Sequence, residues 1–233
     1  MPELRDQRPL GVFGGTFDPV HLGHLRLAEE AADALDLDRV RWIPAGKPAF
    51  PDKAPIDAGQ RLEMVRRAIG DNPRFELDDA EVLADQPSFT VPTLERLRQD
   101  NVCGKSRPLV LLLGADAFAG LARWHRWQDL FALTHIAIAH RPSYEIDTSH
   151  WPALLADAFS ARYAADVGVL QSAPAGYVVQ FAMTPLDISA TKIRQLLSNQ
   201  SSVRYLLPDA LINYIDQHQL YPESSKSNDC KSD

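Results

Sequence analysis

Apolar and polar positions along this chain fall into blocks that switch between strand and helix periods. Six short apolar runs read as strands: Leu10–Phe13, Arg39–Pro44, Phe75–Leu77, Leu109–Leu113, Thr134–Ala139 and Tyr177–Phe181. The unbroken run Leu109–Leu113 is the best central strand, because a strand covered on both faces needs no polar alternation. Helical patterns lie between and after them. They cover Leu25–Ala32, Val91–Asp100 with Pro92 in its first turn, Trp151–Tyr163, Ser189–Leu197 and Pro208–Gln217. A further helix runs to Ile69, with Asp57 as its N-cap and Gly70 as its stop. Ala45–Ile56, rich in Pro, Gly and Lys, reads as a loop. Strand and helix in alternation predict an α/β fold: a doubly wound, mainly parallel sheet with helices on both faces.

Composition narrows the setting. A chain of 233 residues can bury a full core as one domain, expected over 1–222, with a polar and disordered tail over 223–233. A net charge of −7 supplies no chain-wide cationic field, so nucleic acid is not expected as a partner. Two cysteines, Cys103 and Cys230, suggest neither a disulfide framework nor a metal cluster, and a reducing cytoplasm suits them. The charged N-terminus, Met1 to Asp6, does not read as a signal peptide, and no apolar run is long enough to span a membrane.

The candidate chemistry lies at the carboxyl ends of the strands, where open α/β sheets bind ligands. Gly14 to His24 reads Gly-Gly-Thr-Phe-Asp-Pro-Val-His-Leu-Gly-His: strand, glycine turn, helix start, with two histidines in the first helical turn. Residues three apart share a helix face, and a helix N-terminus favours an anion. Phosphate handling by His21 and His24 is the simplest use of such a site. A plain core or surface histidine pair, or half a zinc site, is the alternative, but no Glu follows His21 as in a metalloprotease helix, and no metal ligands are assigned. A second segment, Ile188-Ser-Ala-Thr-Lys-Ile-Arg194, opens a late helix. Ser189 and Thr191 there suit phosphate oxygens, or Ser189 simply caps the helix, and Arg194 can fork onto a phosphate.

With both segments in hand, the chain resembles the nucleotidyltransferase superfamily, and within it the bacterial nicotinate-nucleotide adenylyltransferases. Pro87-Ser-Phe-Thr90 and Leu113-Gly-Ala-Asp116, followed by Trp124-His-Arg-Trp127, carry the closer resemblance, which spans about residues 9–221. The resemblance implies a Rossmann-like fold and transfer of the adenylyl group of ATP to nicotinate mononucleotide, giving deamido-NAD and pyrophosphate. It implies direct displacement without a covalent intermediate, and Mg²⁺ bound mainly through the ATP phosphates.

On that reading His21, His24 and Arg194 are catalytic. Gly14, Gly15, Thr16, Phe17, Ser189 and Thr191 meet ATP. The backbone N–H groups of Thr90 and His125 hold the nicotinate carboxylate, and Trp124 stacks on the pyridine ring. Asp116 takes ribose hydroxyls or caps the next helix. Lys47, Lys53 and Arg141 are anion partners or solvated surface charges. Many relatives carry Pro-Pro-His-Lys in the second-strand loop; here the text is Lys47-Pro-Ala-Phe-Pro-Asp-Lys53, without the histidine. A homodimer stays open. The rival readings are a sister transferase acting on nicotinamide mononucleotide or on phosphopantetheine, and a non-catalytic nucleotide sensor.

Overall fold

A computed structural model describes residues 8–48, 56–100, 104–141 and 147–222. Lys53, both cysteines, the N-terminal six residues and the tail 223–233 lie outside the described residues.

Six parallel strands form the main sheet: β1 (Leu10–Gly15), β2 (Arg39–Pro44), β4 (Phe75–Leu77), β6 (Leu109–Gly114), β7 (His135–His140) and β8 (Val178–Ala182). Their spatial order is β4-β2-β1-β6-β7-β8. Chain order therefore reverses between β1 and β6, which is where a doubly wound sheet opens a ligand crevice. The pairing shows how the crevice opens. β1 pairs with β6 only over Leu10–Val12 and Leu109–Leu111, yet each strand continues three residues further.

Alternation along the strands divides the core in two. Phe13, Val110, Leu112, Ala137 and Ala139 pack on one face with α1 (Leu22–Ala34), α2 (Ala58–Ile69), α8 (Ala190–Ser198) and α9 (Asp209–Gln217). Val12, Leu109, Leu111, Leu113 and Ile138 pack on the other with α4 (Thr90–Gln99), α5 (Ala115–Ala119), α6 (Leu130–Leu133) and α7 (Ala153–Ser160). Asp57 caps α2 by accepting from the N–H groups of Gly59 and Gln60, and Gly70 ends it at φ 55°, as the sequence predicts.

Several local expectations are corrected. β1 runs through Gly14 and Gly15, so the turn begins at Thr16 rather than at the glycines. His21 is the N-cap of α1 and only His24 lies inside its first turn. α7 is shorter than Trp151–Tyr163, because Pro152 sets its start. Three elements carry no pattern long enough to read: α3 (Ala80–Leu83) and the two-residue strands β3 (Lys47–Pro48) and β5 (Pro87–Ser88), which pair in parallel as a separate small sheet.

Candidate active site

Where β1 and β6 diverge, a cavity of about 240 Å³ opens. Its floor is apolar: Val12, Ile43, Leu111 and Leu113. Gly14, Gly15 and Thr16 form one rim, and Thr90, Trp124 and His125 line another side. The structure thus brings together the glycine segment and the Thr90 and Trp124–His125 segments across the strand reversal. Phe89 N-caps α4 and lies against the His125 ring, centroids 4.7 Å apart, which sets the 124–126 turn beside the start of that helix. Neither the Thr90 nor the His125 backbone N–H has a hydrogen-bond partner among the described residues. Trp124 packs one side on the core, and Trp127 is likewise partly buried there.

The histidines stack, with ring centroids 3.7 Å apart and planes 24° apart. The backbone N–H of His21 donates to Nδ1 of His24 at 3.2 Å. That bond puts the proton of a neutral His24 on Nε2, which makes it a donor. Burial lowers the His21 imidazole to about 4. Burial first, and the proximity of His21 second, lower His24 to about 3. Both rings are neutral near pH 7. Nδ1 of His21 is buried without a hydrogen-bond partner among the described residues. Phe17 sits beneath: its ring is buried edge-on to His24, centroids 5.3 Å apart, so only its backbone can meet a nucleotide.

The late segment closes against this corner. Ser189 caps α8 by accepting from the Lys192 N–H at 3.2 Å, and Thr191 is exposed. Nη1 of Arg194 donates to the main-chain oxygen of Asp18 at 2.6 Å, and Nη2 to the Thr191 hydroxyl at 3.3 Å. The Asp18 carboxylate accepts from the Tyr221 hydroxyl at 2.6 Å. A Cβ placed on Gly23 would lie 3.7 Å from the Cβ of Ile188, which locates the late segment beside the start of α1. Asp116 is exposed in the first turn of α5, whose N-cap is Gly114; it neither caps the helix nor lines the cavity. Arg141 is exposed just past β7, away from the cavity lining. Lys47 pairs with Asp85.

Sequence reasoning missed two residues here. Arg61, 1% exposed, donates to three carbonyls: Ile56 at 2.8 Å, Thr16 at 2.7 Å and Gly46 at 2.9 Å. Its signal was a charge on the buried stripe of α2, beside Leu62, Met64 and Val65. Glu81 lines the cavity from α3 and accepts from the Thr93 hydroxyl. An acidic residue in a four-residue helix leaves no comparable pattern.

Residues 12–196 match the cytidylyltransferase-like family. With a strand-reversal crevice, a glycine rim and paired histidines at a helix start, this chain belongs to that family of nucleotidyltransferases. A probable nicotinate-nucleotide adenylyltransferase of Dechloromonas aromatica is 58% identical over 216 residues, 93% of this chain and 99% of that protein. Its counterpart in Pseudomonas paraeruginosa is 44% identical over 212 residues, 91% of this chain and 96% of that protein. Among solved structures, a Plasmodium falciparum nicotinic acid mononucleotide adenylyltransferase complexed with NaAD shares the fold. Its TM-score is 0.67 at 17% identity, over 92% of this chain and 98% of that one. Within the nucleotidyltransferases, the chain belongs with the nicotinate-nucleotide adenylyltransferases.

Proposed function

We propose that this enzyme transfers the adenylyl group of ATP to the 5′-phosphate of nicotinate mononucleotide, releasing pyrophosphate and forming deamido-NAD in NAD biosynthesis. The observation that carries the reading is the single cavity in which Trp124 and the open N–H groups of Thr90 and His125 share a crevice with Gly14, Gly15 and Thr16. A carboxylate can accept from both N–H groups, whereas an amide NH₂ placed there leaves donors facing a donor.

The attacking phosphate needs little activation, since its second pKa is about 6. Catalysis is then alignment and charge stabilisation. The His24 Nε2–H donates to the α-phosphate as charge develops there. Its neutral state suits a fixed donor that exchanges no proton in the step. His21 packs against it and holds its orientation through the backbone N–H. The exposed N–H groups at the start of α8, the Thr191 hydroxyl and Arg194 take the outer phosphates. Mg²⁺ enters with ATP as part of the substrate. The triphosphate oxygens and water would hold it, as Mg²⁺ bound to a nucleotide usually leans on substrate phosphates. The net charge of −7 favours small-molecule partners over nucleic acid, and sparing cysteine use suits the cytoplasm.

Pyrophosphate release with ATP, Mg²⁺ and either nicotinate or nicotinamide mononucleotide tests the assignment. Strong preference for the acid is expected. Equal rates would overturn the role of Thr90 and His125, and release from neither would overturn the acceptor.

A further inference from the structure

Among the described residues, Glu81 is the one carboxylate lining the cavity, and neither lysine nor arginine lines it. Its oxygens accept from the hydroxyls of Thr93 and Ser88, and among the described residues no cation pairs with it. The nearby Arg96 is committed to Asp78 at 2.7 Å. Burial outweighs the two hydroxyl bonds and lifts the carboxyl above its usual range, the direction expected of a carboxylate lacking a counter-charge.

The group is also fixed in place. The Gly46 N–H donates to the Ser88 hydroxyl oxygen at 2.9 Å, and a Cβ on Gly46 would meet the main-chain oxygen of Glu81 at 2.0 Å. Arg61 in turn holds the Gly46 carbonyl. The backbone that carries Glu81 is thus packed tightly against Gly46, and the carboxylate is tied by the Thr93 and Ser88 hydroxyls.

Sharing a cavity with an apolar floor and an indole, this carboxylate offers a site for a flat organic cation. Burying a cation there costs heavily unless an anion or an aromatic face meets it. An N-glycosylated pyridine ring is such a cation, and its dihydro form is not. We propose that Glu81 is a specificity-determining residue, the counter-charge that makes the acceptor pocket select a quaternary pyridinium over a neutral ring of the same shape. The inference rests on the acceptor assignment above and adds a second criterion to it: the N–H groups read the carboxylate, and Glu81 reads the ring charge.

The test uses the full chain and pyrophosphate release. Nicotinate mononucleotide is compared with its chemically reduced dihydro form, for wild type and Glu81→Gln. Wild type should prefer the oxidised ring by about tenfold or more in kcat/KM, and the variant should lose most of that preference. The loss should fall on the KM for the mononucleotide rather than on the KM for ATP; a merely structural role would weaken both ring forms alike. Wild type alone gives a second readout that survives a poorly folding variant. N-Methylnicotinate, a pyridinium acid, should compete with the mononucleotide about tenfold better than benzoate, its neutral-ring counterpart. Equal competition by the two acids, or an unchanged ring preference in Glu81→Gln, would overturn the inference and leave the acceptor assignment standing. No release from nicotinate mononucleotide by wild type would remove both.

Discussion

The backbone N–H of His21 donates to Nδ1 of His24 across the first turn of α1, at 3.2 Å. This bond converts a titratable ring into a fixed dipole, because it assigns the remaining proton to Nε2. Replacing His24 with Ala should lower kcat by about 10²–10³, the usual cost of one preorganised donor to developing charge. Steady-state pyrophosphate release measures it, with circular dichroism as the folding control. A loss below tenfold in a folded variant would remove His24 from the reacting centre.

Stability should depend on pH through the same rings. An imidazole whose folded pKa lies below its unfolded value binds more protons unfolded, so stability rises with pH between the two values. The window runs from about 4 to 6.5 for His21 and from about 3 to 6.5 for His24. Burial shifts His135 in the same direction. Acidification from pH 7 to pH 5 should cost on the order of 2 kcal/mol for each of the first two rings. Urea midpoints at the two pH values would show it, and a His21→Asn, His24→Asn double variant should flatten the dependence. An equally steep response in the double variant would refute the assignment.

Trp124 should act on one substrate only. Trp124→Ala is expected to raise the KM for nicotinate mononucleotide by about 5- to 100-fold, since an aromatic stack on a base-like ring is worth about 1–3 kcal/mol. The KM for ATP should stay close to wild type. Parallel rises in both would mean that the indole supports the core rather than the ring.

Gly46→Ala should be costly although the glycine has an ordinary backbone angle. The added methyl would meet the Glu81 carbonyl at 2.0 Å, a main-chain atom with little room to move. A loss of about 3 kcal/mol is expected, or roughly 6–12 °C in melting temperature for a chain of this size. A thermal scan decides, and a shift under about 2 °C would show that α3 yields freely.

What the sequence disclosed follows from how local each signal is. The central strand β6 was readable because five consecutive apolar residues need burial on both faces. Asp57 and Gly70 marked α2 because a cap is a property of one residue and its next turn. The run from Gly14 to His24 compresses rim, turn and both histidines into eleven residues, so this corner of the crevice is legible in one short stretch. Glu81 and Arg61 were hidden for the opposite reason. Each acts on partners set by tertiary packing, Arg61 reaching Thr16 across 45 positions. The burial of the Phe17 ring left no signal, because Gly14 to Thr16 before it line the cavity while the Phe17 ring packs in the core, at φ 51°. Asp116 reads as a cap, but α5 starts at Ala115, directly after β6, so the cap falls on Gly114 and Asp116 lies inside the first turn.

Asp18 accepts from Arg194, 176 positions onward, and from Tyr221, 203 positions onward. Both partners are synthesised long after the histidine loop they brace. A growing chain holds every described residue that lines the cavity once His125 is made, yet the clasp on Asp18 waits for Arg194 and Tyr221. A chain interrupted between the two would carry the cavity without the clasp that braces the histidine loop.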